Sequence, residues 1–401
     1  MNSILDEITN ENIWNEYIDF KEKQLSVYRQ ELDGIREYVS SKKYISITKS
    51  IAKGEYTFSI PTKHLINKIN KSKKRVVYTY NEEETYILKV ITYLFSKRYD
   101  EKYSNNCYSF RRNIMVKDGI KRIISTPNLN QLYGYKIDIS NYFNSIDINL
   151  LLKKFENFLS SDKRLFNFIK KLLLDNKVMF NGKIIHENKG IMAGVPISSF
   201  LANIFLNDID IYFENENILY LRYSDDIILF AEKELIDYYI EKLDNFILIN
   251  KLTINEDKRK YILPNEKWDY LGFSIENGEI DISNVSKQKI KGKIKRLSRK
   301  LRRWMLKKDA KPERAIGAMN RKINKKFYGM NNNKELTWEL WYFPIINTTK
   351  GIHEIDLYIQ QTLRYIATGK YNKKNYNITY TKLKELGYRP LVSEYYRFKN
   401  K

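Results

Sequence analysis

Asp225 and Asp226 stand side by side within 220–230, Tyr-Leu-Arg-Tyr-Ser-Asp-Asp-Ile-Ile-Leu-Phe. Apolar, β-prone runs on both sides of a short polar turn read as a β-hairpin with the acids at its tip. Neighbouring carboxylates repel unless something neutralises them. A divalent cation does this well: Mg²⁺ takes oxygen ligands and uses one or two carboxylates together with substrate phosphates. On its own the dipeptide also fits a solvated turn. A third acid, Asp138, lies in the alternating run 135–139, on the face opposite Ile137 and Ile139. An acid near the end of one strand and two more on a hairpin can converge on a shared metal pair. Such a pair clamps the attacking and leaving oxygens of an in-line phosphoryl transfer. Asp138 alone would serve equally as an N-cap or Asx-turn, because Ser140 and Asn141 lead into Tyr142-Phe143, where a helix can begin.

Between these acids runs a glycine-bearing loop, 190–196, followed by small and apolar residues at helical spacing from Ser199 through Ile209. Gly190 and Gly194 permit close backbone approach or positive φ, and Pro196 suits a first helical turn. A nucleotide or template base can lie against such a backbone, and an ordinary loop-to-helix entry has the same composition.

Taken in order, the three segments resemble the A, B and C motifs of the reverse transcriptase family. Residues 252–260 (Leu-Thr-Ile-Asn-Glu-Asp-Lys-Arg-Lys) resemble its D motif, and 270–274 (Tyr-Leu-Gly-Phe-Ser) its E motif, or primer grip. Upstream, 71–77 (Lys-Ser-Lys-Lys-Arg-Val-Val) and 108–112 (Tyr-Ser-Phe-Arg-Arg) resemble the finger motifs of retron and group II intron enzymes. The resemblance implies that Asp138 and Asp225 hold two Mg²⁺ ions (Mn²⁺ as a substitute), with the carbonyl of Ile139 as a further ligand and Asp226 as a supporting acid. It puts Phe143 at the steric gate against a 2′-hydroxyl. Arg75 and Arg111 fall where the triphosphate or template is met, and Lys258 is the D-motif lysine. Ala193, Gly194 and Pro196 line the nucleotide side of the B loop, and Gly272 belongs to the primer grip. Guanidinium forks suit phosphate oxygens, and a lysine beside the leaving pyrophosphate acts electrostatically or as a proton donor. For Arg111, Arg112 and Lys258 a solvated basic surface is the plainer reading. One departure stands out: bacterial relatives carry Gln immediately before the second B-motif glycine, where this chain has Ala193.

Lys and Arg number 71 against 48 Asp and Glu, a net charge of +23, as in chains that neutralise phosphates. The charge is clustered. Residues 286–308 repeat Ile290, Ile294, Leu297, Leu301 and Met305 at spacings of three and four, one apolar stripe on a basic helix. Membrane-surface and partner-protein helices share this pattern. Its place after the E motif, where the family has its thumb, favours a template–primer contact through Lys295, Arg296, Arg299 and Arg302.

The single cysteine, Cys107, excludes a disulfide framework and a cysteine metal site, which suits a reducing cytoplasm. His64, His186 and His353 are scattered and form no zinc pattern. The N-terminus lacks a signal-peptide pattern, and no apolar run approaches the ~20 residues of a membrane span.

The expected fold is α+β, the right-hand polymerase: fingers, a palm with an antiparallel sheet, an all-α thumb and a helical C-terminal extension. Its expected divisions are an N-terminal helical extension over 1–70, fingers over 71–134 and palm over 135–280 with finger insertions near 150–190. Thumb over 281–330 and C-terminal extension over 331–401 complete them. Residues 82–99 read as an amphipathic helix bearing Tyr86, Ile87, Val90, Tyr93 and Leu94, and Asn181-Gly182 as a hairpin turn. Trp338, Trp341, Tyr342, Phe343 and Tyr358 suggest an aromatic core. Residues 369–376 and 386–392 alternate basic and aromatic residues, which suits RNA or an aromatic-pinned tail. No internal repeat, RNase H pattern or attached nuclease is legible.

The function so implied is RNA-directed DNA synthesis from dNTPs on an RNA template, with nascent DNA as product. The chain is closest in character to defence-associated, abortive-infection enzymes that copy a structured non-coding RNA during phage attack. Partners then include an effector protein or a second copy of the chain. Alternatives are a retron enzyme, a group II maturase, and a template-independent or protein-primed polymerase, for which the 32 tyrosines supply candidates. A binding module without chemistry is disfavoured by the three acids.

Overall fold

The computed structural model describes residues 3–23, 29–67, 74–159, 161–329 and 337–400. Lys71, Ser72 and Lys73 of the first finger motif and the start of the C-terminal extension, 331–336, lie outside the described residues. Two compact units adjoin in sequence at Pro264 and Asn265.

The first unit carries two four-stranded sheets. In the one that bears the acids the strands run in the order Leu219–Tyr223, Asp226–Ala231, Tyr133–Asp138, Lys260–Ile262, every neighbour antiparallel. Asp226–Ala231 is buried at every position but its first, so both faces of this strand are covered. That is why its sequence reads as a continuous apolar run. Helix Lys233–Ile249 packs against the two central strands through Ile236, Leu243 and Ile247. The second sheet joins Lys74–Thr79 to Thr62–Asn67 antiparallel, then Lys177–Phe180 in parallel and Lys183–His186 antiparallel. Its last hairpin turns at Asn181 and Gly182, both with positive φ as the sequence predicts.

The N-terminal helices are Ile4–Glu7, Glu11–Lys23, Arg29–Ser40 and Tyr44–Lys53, but Thr62–Asn67 is a strand. Its Thr and Ile content is β-compatible, and only its long-range partner Lys74–Thr79 makes that choice visible. The N-terminal helices dock on Glu82–Tyr99, where Glu16 accepts from Tyr93 and Lys97, and Glu31 from Lys89. Glu82–Tyr99 is buried on several faces, so it is a core helix more than an amphipathic one.

The second unit has a three-stranded antiparallel sheet, Glu279–Ile282, Phe273–Glu276, Trp268–Tyr270. Helix Asn284–Lys307 follows, started by Ser283, whose hydroxyl accepts from the amide of Ser286. The apolar stripe is buried at Ile290, Ile294, Leu301 and Met305, with Ser298 replacing the half-exposed Leu297 in the seam. This helix packs on Pro312–Tyr328 and Lys350–Thr368. Trp338 and Tyr342 form the expected aromatic cluster with Phe327 and Phe273, and Phe343 joins Tyr395 and Phe398. Among the described residues no helix is long and apolar enough to cross a membrane.

Candidate active site

The hairpin Leu219–Tyr223/Asp226–Ala231 closes on two residues, Ser224 and Asp225, with Ser224 at φ 61°. Asp226 is the first residue of its strand and lies directly opposite Asp138, the last residue of the neighbouring strand. The amide of Ile139 donates to the carbonyl of Asp225 at 3.0 Å. Register and turn thus gather Asp138, Asp225 and Asp226 at one edge of the sheet.

The electrostatics follow from burial. Asp138 is 5% exposed; Lys258 Nζ donates to its Oδ1 at 2.5 Å and Asn255 Nδ2 to its Oδ2 at 3.2 Å. Burial and the nearby carboxylate of Asp138 push Asp225 up. Burial, then Asp225 and Asp138, push Asp226 up to about 6. Burial opposes the charge on Lys258, but the carboxylate of Asp138 outweighs it and holds the ammonium protonated. Three acids faced mainly by lysine are short of positive charge, which fits a divalent cation. Among the described residues no three His, Cys, Asp or Glu side chains enclose a metal ion by themselves. Asp138, Asp225 and Asp226, with the carbonyl of Ile139, are the residues that would hold it.

Phe143 is the second residue of a short helix, Tyr142–Ser145, with three residues between it and the end of the Asp138 strand. Its ring meets Phe110 edge-on at 6.1 Å, and Phe110 lies 6.4 Å from Tyr223. Phe110 is 47% exposed with φ 56°, an uncommon conformation for a bulky residue that needs support from its surroundings. That support comes from its neighbour Ser109: Asn203 Nδ2 donates to its carbonyl at 2.7 Å, and its hydroxyl donates to Asn203 Oδ1 at 3.0 Å. Phe110 is a candidate that sequence reasoning passed over; an aromatic residue beside two arginines in a finger motif was the available signal.

The 190–196 loop is tied to the same wall. Ile191 N donates to the carbonyl of Phe143 at 2.9 Å, and Ala193 N to Asn144 Oδ1 at 3.1 Å. Tyr78 N donates to the carbonyl of Ala193 at 2.8 Å. A Cβ on Gly190 would stand 2.5 Å from the Phe143 carbonyl, and Gly194 holds φ +101° against Tyr78. Both glycines are therefore required by close approach. Pro196 precedes the helix rather than starting it: Ser198–Phe205 begins two residues later, and a break at Leu206 separates it from Asn207–Asn215.

Other expected residues fall elsewhere. Arg75 is exposed on Lys74–Thr79, cross-strand from Ile66. Arg111 turns inward, 6% exposed, with Nη2 on Asp100 Oδ2 at 3.1 Å and Nη1 on the carbonyl of Ser104 at 2.9 Å. Arg112 lies over Phe20 and Tyr93. In the second unit Gly272, at φ +93°, turns the hairpin beneath Tyr342. Lys295, Arg296 and Arg299 are exposed as the sequence predicts. Arg302 is not: its Nη1 donates to the carbonyls of Ile366 and Ala367 at 2.7 and 3.2 Å, capping the end of Lys350–Thr368.

Beneath the turn of Ser224 and Asp225 sits an ion pair that the sequence reading missed. Arg222 and Asp210 are both fully buried, with Nε to Oδ1 at 2.8 Å. Tyr220 OH donates to the same carboxylate at 2.9 Å. The only sequence signal was an arginine two residues from Tyr220 in an otherwise apolar strand.

Residues 61–275 match the reverse transcriptase (RNA-dependent DNA polymerase) family. A 120-residue stretch is 29% identical to the COX1/OXI3 intron 2 protein of Saccharomyces cerevisiae, covering 29% of this chain and 14% of that protein. Apo telomerase from Candida tropicalis superposes with a TM-score of 0.50 at 11% identity, over 90% of this chain and 66% of that one. Telomerase from Candida albicans, solved with a fragment of telomeric RNA, gives 0.47 at 12% identity over 87% and 68%. The Candida tropicalis likeness concerns the fold, the right-hand polymerase architecture of mixed α and β elements with antiparallel sheets. With the family matched over more than half of its length, this chain belongs to the reverse transcriptase family.

Proposed function

We propose that this protein is an RNA-directed DNA polymerase that adds dNTPs to a primer 3′-hydroxyl on an RNA template. The observation that carries the reading is the cross-strand pairing of Asp138 with Asp226, with Asp225 on the adjoining turn. Two Mg²⁺ ions held by Asp138, Asp225, Asp226 and the Ile139 carbonyl would supply charge neutralisation to the attacking and leaving oxygens. The chain's own groups do the rest. Lys258 Nζ stays protonated beside Asp138 and offers a donor to the leaving phosphate oxygens. Phe143, braced by Phe110, forms a wall where a 2′-hydroxyl would have to fit. The B loop offers backbone rather than a glutamine side chain at Ala193, whose amide and carbonyl are already bonded to Asn144 and Tyr78. Arg75, exposed on the strand Lys74–Thr79, offers a guanidinium to the phosphates. Lys295, Arg296 and Arg299 are the phosphate contacts of the basic helix.

The biological setting we infer is bacterial antiphage defence in the cytoplasm, with a structured non-coding RNA as template. Its support is the Ala193 departure from bacterial relatives and the basic, aromatic character of 369–376 and 386–392. Cells expressing the wild-type chain should then plate phage less efficiently than cells expressing Asp225→Asn/Asp226→Asn. Equal plating would remove that setting and leave the chemistry standing.

The chemistry is tested by incubating purified protein with Mg²⁺ or Mn²⁺ and each dNTP singly or all together, with and without co-purified RNA, and sequencing the products. The expected product is complementary to the RNA and requires all four dNTPs. Homopolymers made without RNA, or DNA linked to tyrosine, would replace templated synthesis with the template-independent or protein-primed activity.

A further inference from the structure

In the second unit, two exposed tyrosines each pack against another side chain, in a stretch of sequence without acidic residues. Tyr371 is 56% exposed, yet its ring is stacked on Tyr365 at 4.9 Å with an interplanar angle of 13°. The guanidinium of Arg299 bears on its hydroxyl electrostatically. Arg302 lies 5.9 Å from the Tyr365 ring centroid. Five residues on, Tyr376 is 64% exposed with the guanidinium of Arg364 5.1 Å from its ring centroid.

The loop that carries them is pinned. Gly369 turns it at φ +77°. Asn375 Nδ2 donates to the carbonyl of Lys370 at 2.7 Å, and Thr368 Oγ1 donates to Asn375 Oδ1 at 2.6 Å. An exposed tyrosine ordinarily loses rotamer freedom when a ligand immobilises it; here that freedom is already restricted. The charge is one-sided as well. No Asp or Glu occurs between Asp356 and Glu385, nor between Asp281 and Asp309. Lys295, Arg299, Lys370 and Lys373 are exposed.

We propose that Tyr371 and Tyr376 are a stacking platform for unpaired nucleotides of RNA, with Arg299, Lys370 and Lys373 receiving the flanking phosphates. A flat exposed ring presents a π-face to any unstacked base, whereas a paired base is already covered by its neighbours. Basic residues around the ring meet the backbone without reading sequence. The platform holds an unpaired segment of the RNA; it deepens the reading of the chain as an RNA-directed polymerase and rests on it.

The test is fluorescence anisotropy of the full chain with labelled oligouridylate, an RNA duplex of the same length, and the matching oligodeoxynucleotide. The variants are Tyr371→Ala, Tyr376→Ala and Tyr371→Phe. Tyr371→Ala should weaken oligouridylate about five- to hundredfold, the range for loss of one base–aromatic stack. Tyr371→Phe should stay within about twofold of wild type, and Tyr376→Ala should lose affinity in the same direction as Tyr371→Ala. Duplex affinity and the salt slope should not change, since no charge is removed. Oligouridylate binding unchanged in Tyr371→Ala, or lost in step with duplex binding, would overturn the platform. Tighter binding of the oligodeoxynucleotide than of oligouridylate would overturn its assignment to RNA. Primer extension on an unstructured RNA template is run alongside with wild type. If that extension fails, the polymerase reading fails; if it succeeds while Tyr371→Ala binds normally, only the platform does.

Discussion

The guanidinium of Arg222 is clamped on the carboxylate of Asp210 with both side chains fully buried, directly beneath the turn that presents Asp225. Arg222 Nη1 also donates to the carbonyl of Ser224 at 3.3 Å, the residue before Asp225. Tyr108 N donates to the carbonyl of Arg222 at 2.9 Å, which ties the hairpin to the segment carrying Phe110. Arg222 therefore supports the turn through its side chain and the segment carrying the aromatic wall through its backbone.

Removing one partner of that pair should be severe. Asp210→Asn leaves a buried guanidinium without its counter-charge, a change that costs about 3–5 kcal/mol where it has been measured in other proteins. Denaturant unfolding is expected to show a loss of that order. Asp210→Leu combined with Arg222→Met should recover part of it, because no buried charge remains. A stability for Asp210→Asn within about 0.5 kcal/mol of wild type would mean that the pair does not hold the turn.

The acids should make metal-free protein stability fall with pH. Asp226 rises from an ordinary value of 3.8 to about 6 in the folded chain. Folding is thus favoured fully below the unfolded value, and that contribution is lost as pH climbs through about 6. The difference amounts to roughly 3 kcal/mol. Comparing thermal unfolding of wild type and Asp226→Asn in chelator from pH 4 to 8 isolates it. The variant should be the more stable protein at neutral pH and the less pH-dependent one. Added Mg²⁺ should raise the melting temperature of wild type more than that of the variant.

Phe143→Ala should lower discrimination against ribonucleotides by about tenfold or more, since opening a packed pocket typically changes selectivity by ten- to a few-hundredfold. Phe110→Ala should act in the same direction and more weakly, because it removes the brace and leaves the ring. Single-nucleotide incorporation with matched dNTP and rNTP measures both. A wild-type preference for rNTPs would reverse the gate argument.

On the basic helix, charge reversal at Lys295, Arg296 and Arg299 should weaken nucleic-acid binding and flatten its salt dependence by roughly one log–log unit per lost phosphate contact. Arg302→Ala should instead lower thermal stability, because it uncaps the end of Lys350–Thr368. If the triple reversal spares nucleic-acid affinity and abolishes binding to anionic vesicles, the helix is a membrane-surface element.

What the sequence revealed was what is local. Asp225 at a hairpin tip, Asp138 at a strand end and the Asn181-Gly182 turn rest on short-range periodicity or turn chemistry, and the structure places them as read. The stripe of 286–308 is buried at four of its five residues, and Asp226 opens its strand instead of sitting in the turn. Residues whose role depends on a distant partner were misread or missed. Arg111 reads as a phosphate ligand until Asp100 takes it. Arg302 reads as surface until the carbonyls of Ile366 and Ala367 reach it. Thr62–Asn67 is a strand because Lys74–Thr79 lies beside it. Arg222 and Phe110 matter through contacts with Asp210 and Phe143 that no spacing rule encodes.

The most direct test of the central claim is primer extension on an RNA template with dNTPs and Mg²⁺, comparing wild type with Asp225→Asn/Asp226→Asn. Amides cannot replace anionic metal ligands, while removing the repulsion between the acids leaves the fold at least as stable. The expected result is templated DNA from wild type and none from a folded double variant. Undiminished Mg²⁺-dependent extension by that variant would contradict the assignment of Asp138, Asp225 and Asp226 as the polymerase centre.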